Sequence, residues 1–235
     1  METIDKYKRF VESSIYKKEK INELYSRRRK VIDDLIFKHN INDLLDELEN
    51  NFNLLKDEFY KNVKEKQFID YPVLSYTNGG WKVTGINWRG CRINQYEKQF
   101  PLFFNIIDKY RDLIQIAGYS VLEPNSVIFK HRDDDEMITC HLPLKIPQGD
   151  CRFKIGDHLV KYTEGKSIMF YSNDLHEAWN KTNEQRVILL VELKEFSKYK
   201  KTIRKLIDNK LVFFFRYKLM KLLFKPRKKL ILQQP

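Results

Sequence analysis

Residues 131–133 read His-Arg-Asp, residues 174–176 read Asp-Leu-His, and Arg186 opens the run Arg-Val-Ile-Leu-Leu-Val-Glu-Leu (186–193). Two histidines and a carboxylate are the donor set of a non-haem iron site with open coordination positions. In an extended strand residues i and i+2 face the same way, so His131 and Asp133 can point together into the mouth of a barrel while Arg132 points outward. The third donor, His176, has to arrive on a strand brought alongside, and the apolar run Ser-Ile-Met-Phe-Tyr (167–171) is placed to deliver it. Sequence distance is a small obstacle, because the entropy of loop closure grows only logarithmically. Arg186 stands on the best-defined buried strand of the chain and so projects from a rigid element. A buried guanidinium needs an anion. A dicarboxylate would satisfy it, held at one end by two parallel hydrogen bonds while the metal takes the other.

His131, Cys-His-Leu-Pro-Leu-Lys-Ile-Pro (140–147), Tyr-Thr-Glu-Gly-Lys-Ser-Ile-Met-Phe (162–170), His-Glu-Ala-Trp (176–179) and Arg-Val-Ile-Leu-Leu-Val (186–191) come in fixed order. Together they resemble the aspartyl/asparaginyl β-hydroxylase family of Fe(II)- and 2-oxoglutarate-dependent oxygenases, over roughly residues 100–193. The resemblance implies an α+β protein with a double-stranded β-helix core, a jelly-roll of cupin-like type. It also implies iron on His131 and His176, the distal carboxylate of 2-oxoglutarate on Arg186, and His141 helping to hold that cosubstrate. No catalytic group is expected beyond these ligands. Two departures stand out. Where the animal peptide hydroxylases have glycine two residues after the first histidine, this chain has Asp133, the residue of the wider superfamily and a third iron ligand. Where they have acidic residues it has Tyr171 and Ser172, a departure that counts against their peptide substrate without displacing it.

The reaction implied is oxidative decarboxylation of 2-oxoglutarate to succinate coupled to hydroxylation of an unactivated carbon. A peptidyl Asp/Asn-type side chain is the first expectation for the substrate and an acyl chain at a membrane the second. A cupin-like binding module without chemistry is the reading from another class, and it gives no reason to keep both histidines with Arg186. The bland readings of single residues stay beside these. The acids of His-Arg-Asp-Asp-Asp-Glu (131–136) can solvate a loop, and Asp134, Asp135 and Glu136 are read that way. His141 can be a core histidine satisfied by backbone, and Trp179 is core or pocket wall. His158 beside Gly156-Asp157 in a hairpin turn, and His39 in a charged helix, are expected at the surface.

At 235 residues and 42% hydrophobic composition the chain can bury one barrel core with appendages. Residues 1–70 contain neither Gly nor Pro and are rich in Lys, Glu, Leu and Ile, which predicts a helical appendage. Its break is expected near Asn40-Ile41-Asn42, with Asn42 as N-cap. The oxygenase domain is assigned to 71–193. It begins with a turn at Thr-Asn-Gly-Gly (77–80), after which Trp81 to Trp88 reads as the edge of a strand pair. Apolar spacing predicts a helix over 100–117, with Pro101 in its first turn.

Residues 194–235 hold 14 Lys and Arg against two acids, while the preceding residues hold 30 of each sign, so the net charge of +12 lies in this tail. The tail also carries Leu-Val-Phe-Phe-Phe (211–215) and Leu-Met-Lys-Leu-Leu-Phe (219–224), with Lys218, Lys221 and Lys225 at helical spacing. A basic amphipathic helix docked on the barrel is the first reading and peripheral membrane association the second. Nucleic acid comes third, for no zinc-finger spacing or glycine loop supports it. Charges interrupt the segment too often for a bilayer span. Three cysteines, Cys91, Cys140 and Cys151, and a start without an apolar signal region point to a cytoplasmic, reducing setting with ordinary thiols.

Overall fold

Ile114–Leu122 is a strand of nine consecutive buried residues, and it explains why the helix expected over 100–117 stops early. The helix runs only Pro101–Lys109, with Pro101 in its first turn, and Tyr110 closes it. Beyond it Ile114, Ile116 and Val121 favour extended backbone. A strand covered on both faces shows no alternation, so neither period is legible in its sequence.

The computed structural model describes residues 33–193 apart from 65, 66, 89, 90 and 134–136. The helices are α1 (Ile41–Asn50), α2 (Phe52–Asn62) and α3 (Pro101–Lys109). The strands are β1 (Ile69–Asp70), β2 (Trp81–Trp88), β3 (Cys91–Arg92), β4 (Ile114–Leu122), β5 (Ser126–His131), β6 (Ile138–Lys145), β7 (Cys151–Ile155), β8 (His158–Val160), β9 (Ile168–Tyr171), β10 (His176–Asn180) and β11 (Arg186–Leu193). The basic tail, residues 1–32 and the acids at 134–136 lie outside the described residues.

The large sheet has the order β1-β2-β4-β11-β6-β9, with β3 also on β2, and the small one the order β5-β10-β7-β8. From β4 onward the chain alternates between the two sheets, except at the β7–β8 hairpin, and every pairing is antiparallel. This winding, β4-β11-β6-β9 facing β5-β10-β7-β8, is the double-stranded β-helix. The sheet starts at Ile69, within the stretch assigned by composition to the appendage. Trp81–Trp88 is not an edge: it pairs with β4 on one side and with the two-residue strands β1 and β3 on the other.

The helices cover the outer face of the large sheet. Tyr119 of β4 lies against Phe59 of α2 and against Phe100 and Phe103 at the start of α3, with ring centroids 4.8, 5.3 and 5.4 Å away. Glu58 of α2 accepts the backbone N–H groups of Leu102 and Phe103 at 2.7 and 3.1 Å, so one helix caps the exposed donors of the next. Asn42 is not the N-cap. It is buried inside α1, because the stripe of Ile41, Leu44, Leu45 and Leu48 starts the helix one residue before it. Asn40 occupies the cap in the left-handed region at φ 47°, with its side chain on Asp43. The turn between α1 and α2 falls at Asn51, whose amide donates to the Glu47 carbonyl at 2.8 Å. His39 lies in the bend before α1 and is half-buried rather than surface-exposed. His158 is likewise half-buried: the hairpin turn is present, with Gly156 at φ 52°, but β8 pairs His158 with Ile155. Cys140 and Cys151 are buried thiols outside any disulfide.

Candidate active site

The first two donors face each other across the β5–β10 pair, where His176 is in register with His131 and the rings lie 4.3 Å apart. The apolar run 167–171 does not itself carry His176. Its strand, β9, belongs to the large sheet, and residues 172–175 cross to the small one, where β10 starts at His176. In both rings Nδ1 meets a backbone carbonyl two residues earlier, Phe129 at 2.6 Å for His131 and Asp174 at 2.7 Å for His176. A carbonyl accepts only from a protonated nitrogen, so each ring presents an unprotonated Nε2, the tautomer that binds metal. Burial holds His131 below the usual imidazole range, and it pushes His176 down to about 4 against the pull of the Asp174 carbonyl.

Asp133 lies two residues beyond the end of β5, so the strand alternation that pairs it with His131 continues past the ladder. Its N–H donates to the Ser172 carbonyl at 3.1 Å, and the Asn173 amide donates to its own carbonyl at 3.0 Å. Ser172 is buried and its hydroxyl bridges the backbone N–H and carbonyl of Met137, each at 3.2 Å. The turn that precedes His176 thus also fastens the backbone of Asp133. One donor atom each from His131, Asp133 and His176 lie within 4.8 Å of one another, with His131 Nε2 3.9 Å from an Asp133 oxygen. Two imidazoles and a carboxylate on one side, with no thiolate among them, suit ferrous iron with open positions. Arg132 is exposed and points away.

Arg186 and His141 project into the space between the sheets from β11 and β6. Arg186 is 2% exposed, and its Nε and Nη1 are buried with no hydrogen-bond partner among the described residues. Leaving charged donors unsatisfied in the interior is costly, so this side chain is built to meet an anion. His141 shares a 2.8 Å hydrogen bond through Nδ1 with the Tyr162 hydroxyl. Burial holds its pKa well below the usual range, and the charges of Arg186 and His176 act in the same direction, so its ring is neutral.

These residues line a cavity of about 340 Å³ between the two sheets. Its floor is thin where Gly85 of β2 pairs with Gly118 of β4. A Cβ on Gly118 would meet the Thr84 carbonyl oxygen at 2.1 Å, so only glycine lets the strands approach there. One wall is aromatic: Tyr76 lies 4.2 Å from the His131 ring, and Tyr71 stacks on Trp81 at 3.6 Å. Reading the sequence missed these three residues and also Tyr162 and Glu192. The one signal was the density of aromatics in Tyr-Pro-Val-Leu-Ser-Tyr (71–76). Trp179 is neither core nor pocket wall: it faces away from the cavity on β10, half-buried, with its indole N–H on Asp150 at 2.7 Å. Strand alternation decides this, since His176 and Ala178 take the inward positions.

Comparison with known proteins finds relatives among hydroxylases. An ornithine lipid ester-linked acyl 2-hydroxylase of Rhizobium tropici is 28% identical over 119 residues, covering 49% of this chain and 42% of that protein. The human aspartyl/asparaginyl β-hydroxylase is 23% identical over 159 residues, covering 64% of this chain and 21% of the relative. The chain therefore spans less than half the length of either. A prolyl-4-hydroxylase from Pseudomonas putida superposes with a TM-score of 0.36 at 18% identity, over 65% of this chain and 88% of that one. The family model for aspartyl/asparaginyl β-hydroxylase matches residues 40–195, a stretch that holds all three candidate metal ligands, His141 and Arg186. The chain belongs to the aspartyl/asparaginyl β-hydroxylase family of oxygenase-type hydroxylases.

Proposed function

We propose that this chain is an Fe(II)- and 2-oxoglutarate-dependent hydroxylase, with His131, Asp133 and His176 as metal ligands and Arg186 as the anchor for the distal carboxylate. The observation that carries the cosubstrate assignment is the buried guanidinium with two unpaired donors on the wall of the cavity that the metal donors share. When bound, iron and 2-oxoglutarate supply the oxidation of an unactivated carbon–hydrogen bond. The chain's own residues orient and exclude. The backbone carbonyls of Phe129 and Asp174 fix the histidine tautomers, and Ser172 holds the Asp133 loop. Neutral His141 offers a hydrogen-bonding edge without adding repulsion to Arg186, and Tyr76 of the aromatic wall packs against the His131 ring.

For the substrate, the cavity supports an acyl chain over an acidic side chain. Arg186 is the one Lys or Arg on its wall among the described residues, and it is committed to the cosubstrate. No cation on the described wall is therefore left to meet a substrate carboxylate. Val83, Trp88, Ile116 and Leu190 offer an apolar track. The peptidyl reading is the second, favoured by the longer span shared with the human relative.

The test is anaerobic addition of Fe(II) and 2-oxoglutarate to the metal-free protein. A visible metal-to-ligand charge-transfer band is expected in the parent chain, absent in His176→Ala and weakened at least tenfold in apparent 2-oxoglutarate affinity in Arg186→Ala. No band in a folded parent chain would sink the proposal. Succinate release dependent on a long-chain acyl lipid, against none with an Asp-containing peptide, separates the two substrates.

A further inference from the structure

His131, His141 and His176 all line the cavity, and the partner of Nδ1 sets them apart. In His131 and His176 it is a backbone carbonyl, whereas in His141 it is the Tyr162 hydroxyl at 2.8 Å. A carbonyl only accepts, but a phenol does either, and which it does here follows from where its own proton goes. Among the described residues the Tyr162 hydroxyl has no other hydrogen-bond partner. Were Nδ1–H the donor, the phenol proton would lack an acceptor inside the protein, and an orphaned donor costs more than a made bond returns. Burial also pushes the phenol up from its ordinary range, so the proton stays on it. The hydroxyl therefore donates, Nδ1 accepts, and the single proton of neutral His141 sits on Nε2.

We infer that Tyr162 is a positioning residue for the dicarboxylate: by donating to Nδ1 it makes His141 an Nε2–H donor, which meets an oxygen of the anion that Arg186 anchors. This deepens the oxygenase reading and rests on it. The arrangement reverses the one at the metal donors, where a carbonyl on Nδ1 leaves Nε2 as a bare lone pair. A lone pair repels a carboxylate oxygen, and an N–H binds it. Tyr162 does not line the cavity, so it acts through His141. It is held firmly for this. Its ring stacks on Phe153 of β7 with centroids 5.6 Å apart, and the Arg186 guanidinium lies 5.9 Å from its centre. The loop between β8 and β9 that carries it is tied to β6, the strand of His141, where Gly165 N–H donates to the Pro143 carbonyl at 3.0 Å. Beyond the end of β6 the Glu164 carboxylate accepts the Ile146 N–H at 2.8 Å. The Glu49 carboxylate of α1 accepts the Ser167 N–H at 2.8 Å, so the helices brace the same loop from outside.

The experiment reads tautomer and affinity separately, on the full chain. Proton–nitrogen correlation spectra of the metal-free protein, carrying isotope-labelled histidine at neutral pH, give the tautomer, with the His141 signals assigned by their loss in His141→Gln. A proton on Nε2 of His141 is expected, and a proton on Nδ1 overturns the inference. Calorimetry of 2-oxoglutarate binding, with manganese(II) in place of iron so that no turnover occurs, gives the affinity. Tyr162→Phe should weaken 2-oxoglutarate binding about tenfold while leaving manganese affinity unchanged. In a His141→Ala background the same substitution should have no further effect, since Tyr162 acts through His141. Circular dichroism checks each variant, and should one fail to fold, the tautomer of the parent chain decides. Equal affinity in Tyr162→Phe and the parent, or the same loss with and without His141, overturns the inference and leaves the oxygenase reading standing. Absence of 2-oxoglutarate binding in the folded, manganese-loaded parent sinks both.

Discussion

At the scale of single residues the site is defined by what surrounds its histidines. In an unfolded chain an imidazole takes up a proton below pH 6.5, whereas folded His176 stays neutral down to about 4. Between those values the unfolded state binds more protons, so stability is full above pH 6.5 and drains away as the pH falls toward 4. His131 and His141 are shifted in the same direction. For the metal-free protein we expect the urea midpoint to drop across this window, with about 3 kcal/mol from His176 alone. A flat profile would mean that the rings are protonated in the folded state. Ser172 gives a second prediction. Its hydroxyl holds Met137 while its carbonyl holds Asp133, so Ser172→Ala should weaken iron binding about tenfold in a competition titration, with His131 and His176 untouched. His131 and Asp133 were legible as a pair because i and i+2 geometry is local, whereas His176, on a strand distant in sequence, was legible only through the family blocks. Ser172, Tyr162 and the aromatic wall were not, since their roles come from strands and loops distant in sequence.

Elements succeed or fail on burial. α1 and the hairpin at Gly156 announce themselves through an apolar stripe and a turn glycine. β4 does not, because helices cover one face and the cavity closes on the other, which erases the period that separates strand from helix. Asn42 has the chemistry of a cap, yet the buried stripe on its own helix outranks local capping. The tightest constraint at this scale is the Gly85–Gly118 pair. Gly118→Ala would drive a methyl group into the β2 backbone at 2.1 Å, so we expect a loss of at least about 2 kcal/mol in chemical denaturation. Gly85→Ala meets Ile93 at an ordinary 3.6 Å and should cost less. Equal losses would show that strand propensity, not contact, controls this pair.

For the whole molecule, the division of labour follows the two faces of the large sheet. Helices bury its outer face around Tyr119, while its inner face carries Arg186, Leu190 and Glu192 at alternate positions of one strand toward the cavity mouth. Composition placed the charge excess outside the barrel, and the family blocks placed the ligands on it. Neither indicated that Trp88, Ile116 and Glu192 share one row on the inner face, because that depends on the winding of the strands. Arg186 also ties the folding equilibrium to supply. With Nε and Nη1 unpaired in the interior, the empty protein carries a penalty that a small dicarboxylate removes. Succinate or 2-oxoglutarate, even without iron, should therefore raise the melting temperature of the parent chain by a few degrees and leave that of Arg186→Ala unchanged. In a cell whose proteases sample the unfolded fraction, the steady-state abundance of this protein would then rise and fall with the level of that dicarboxylate.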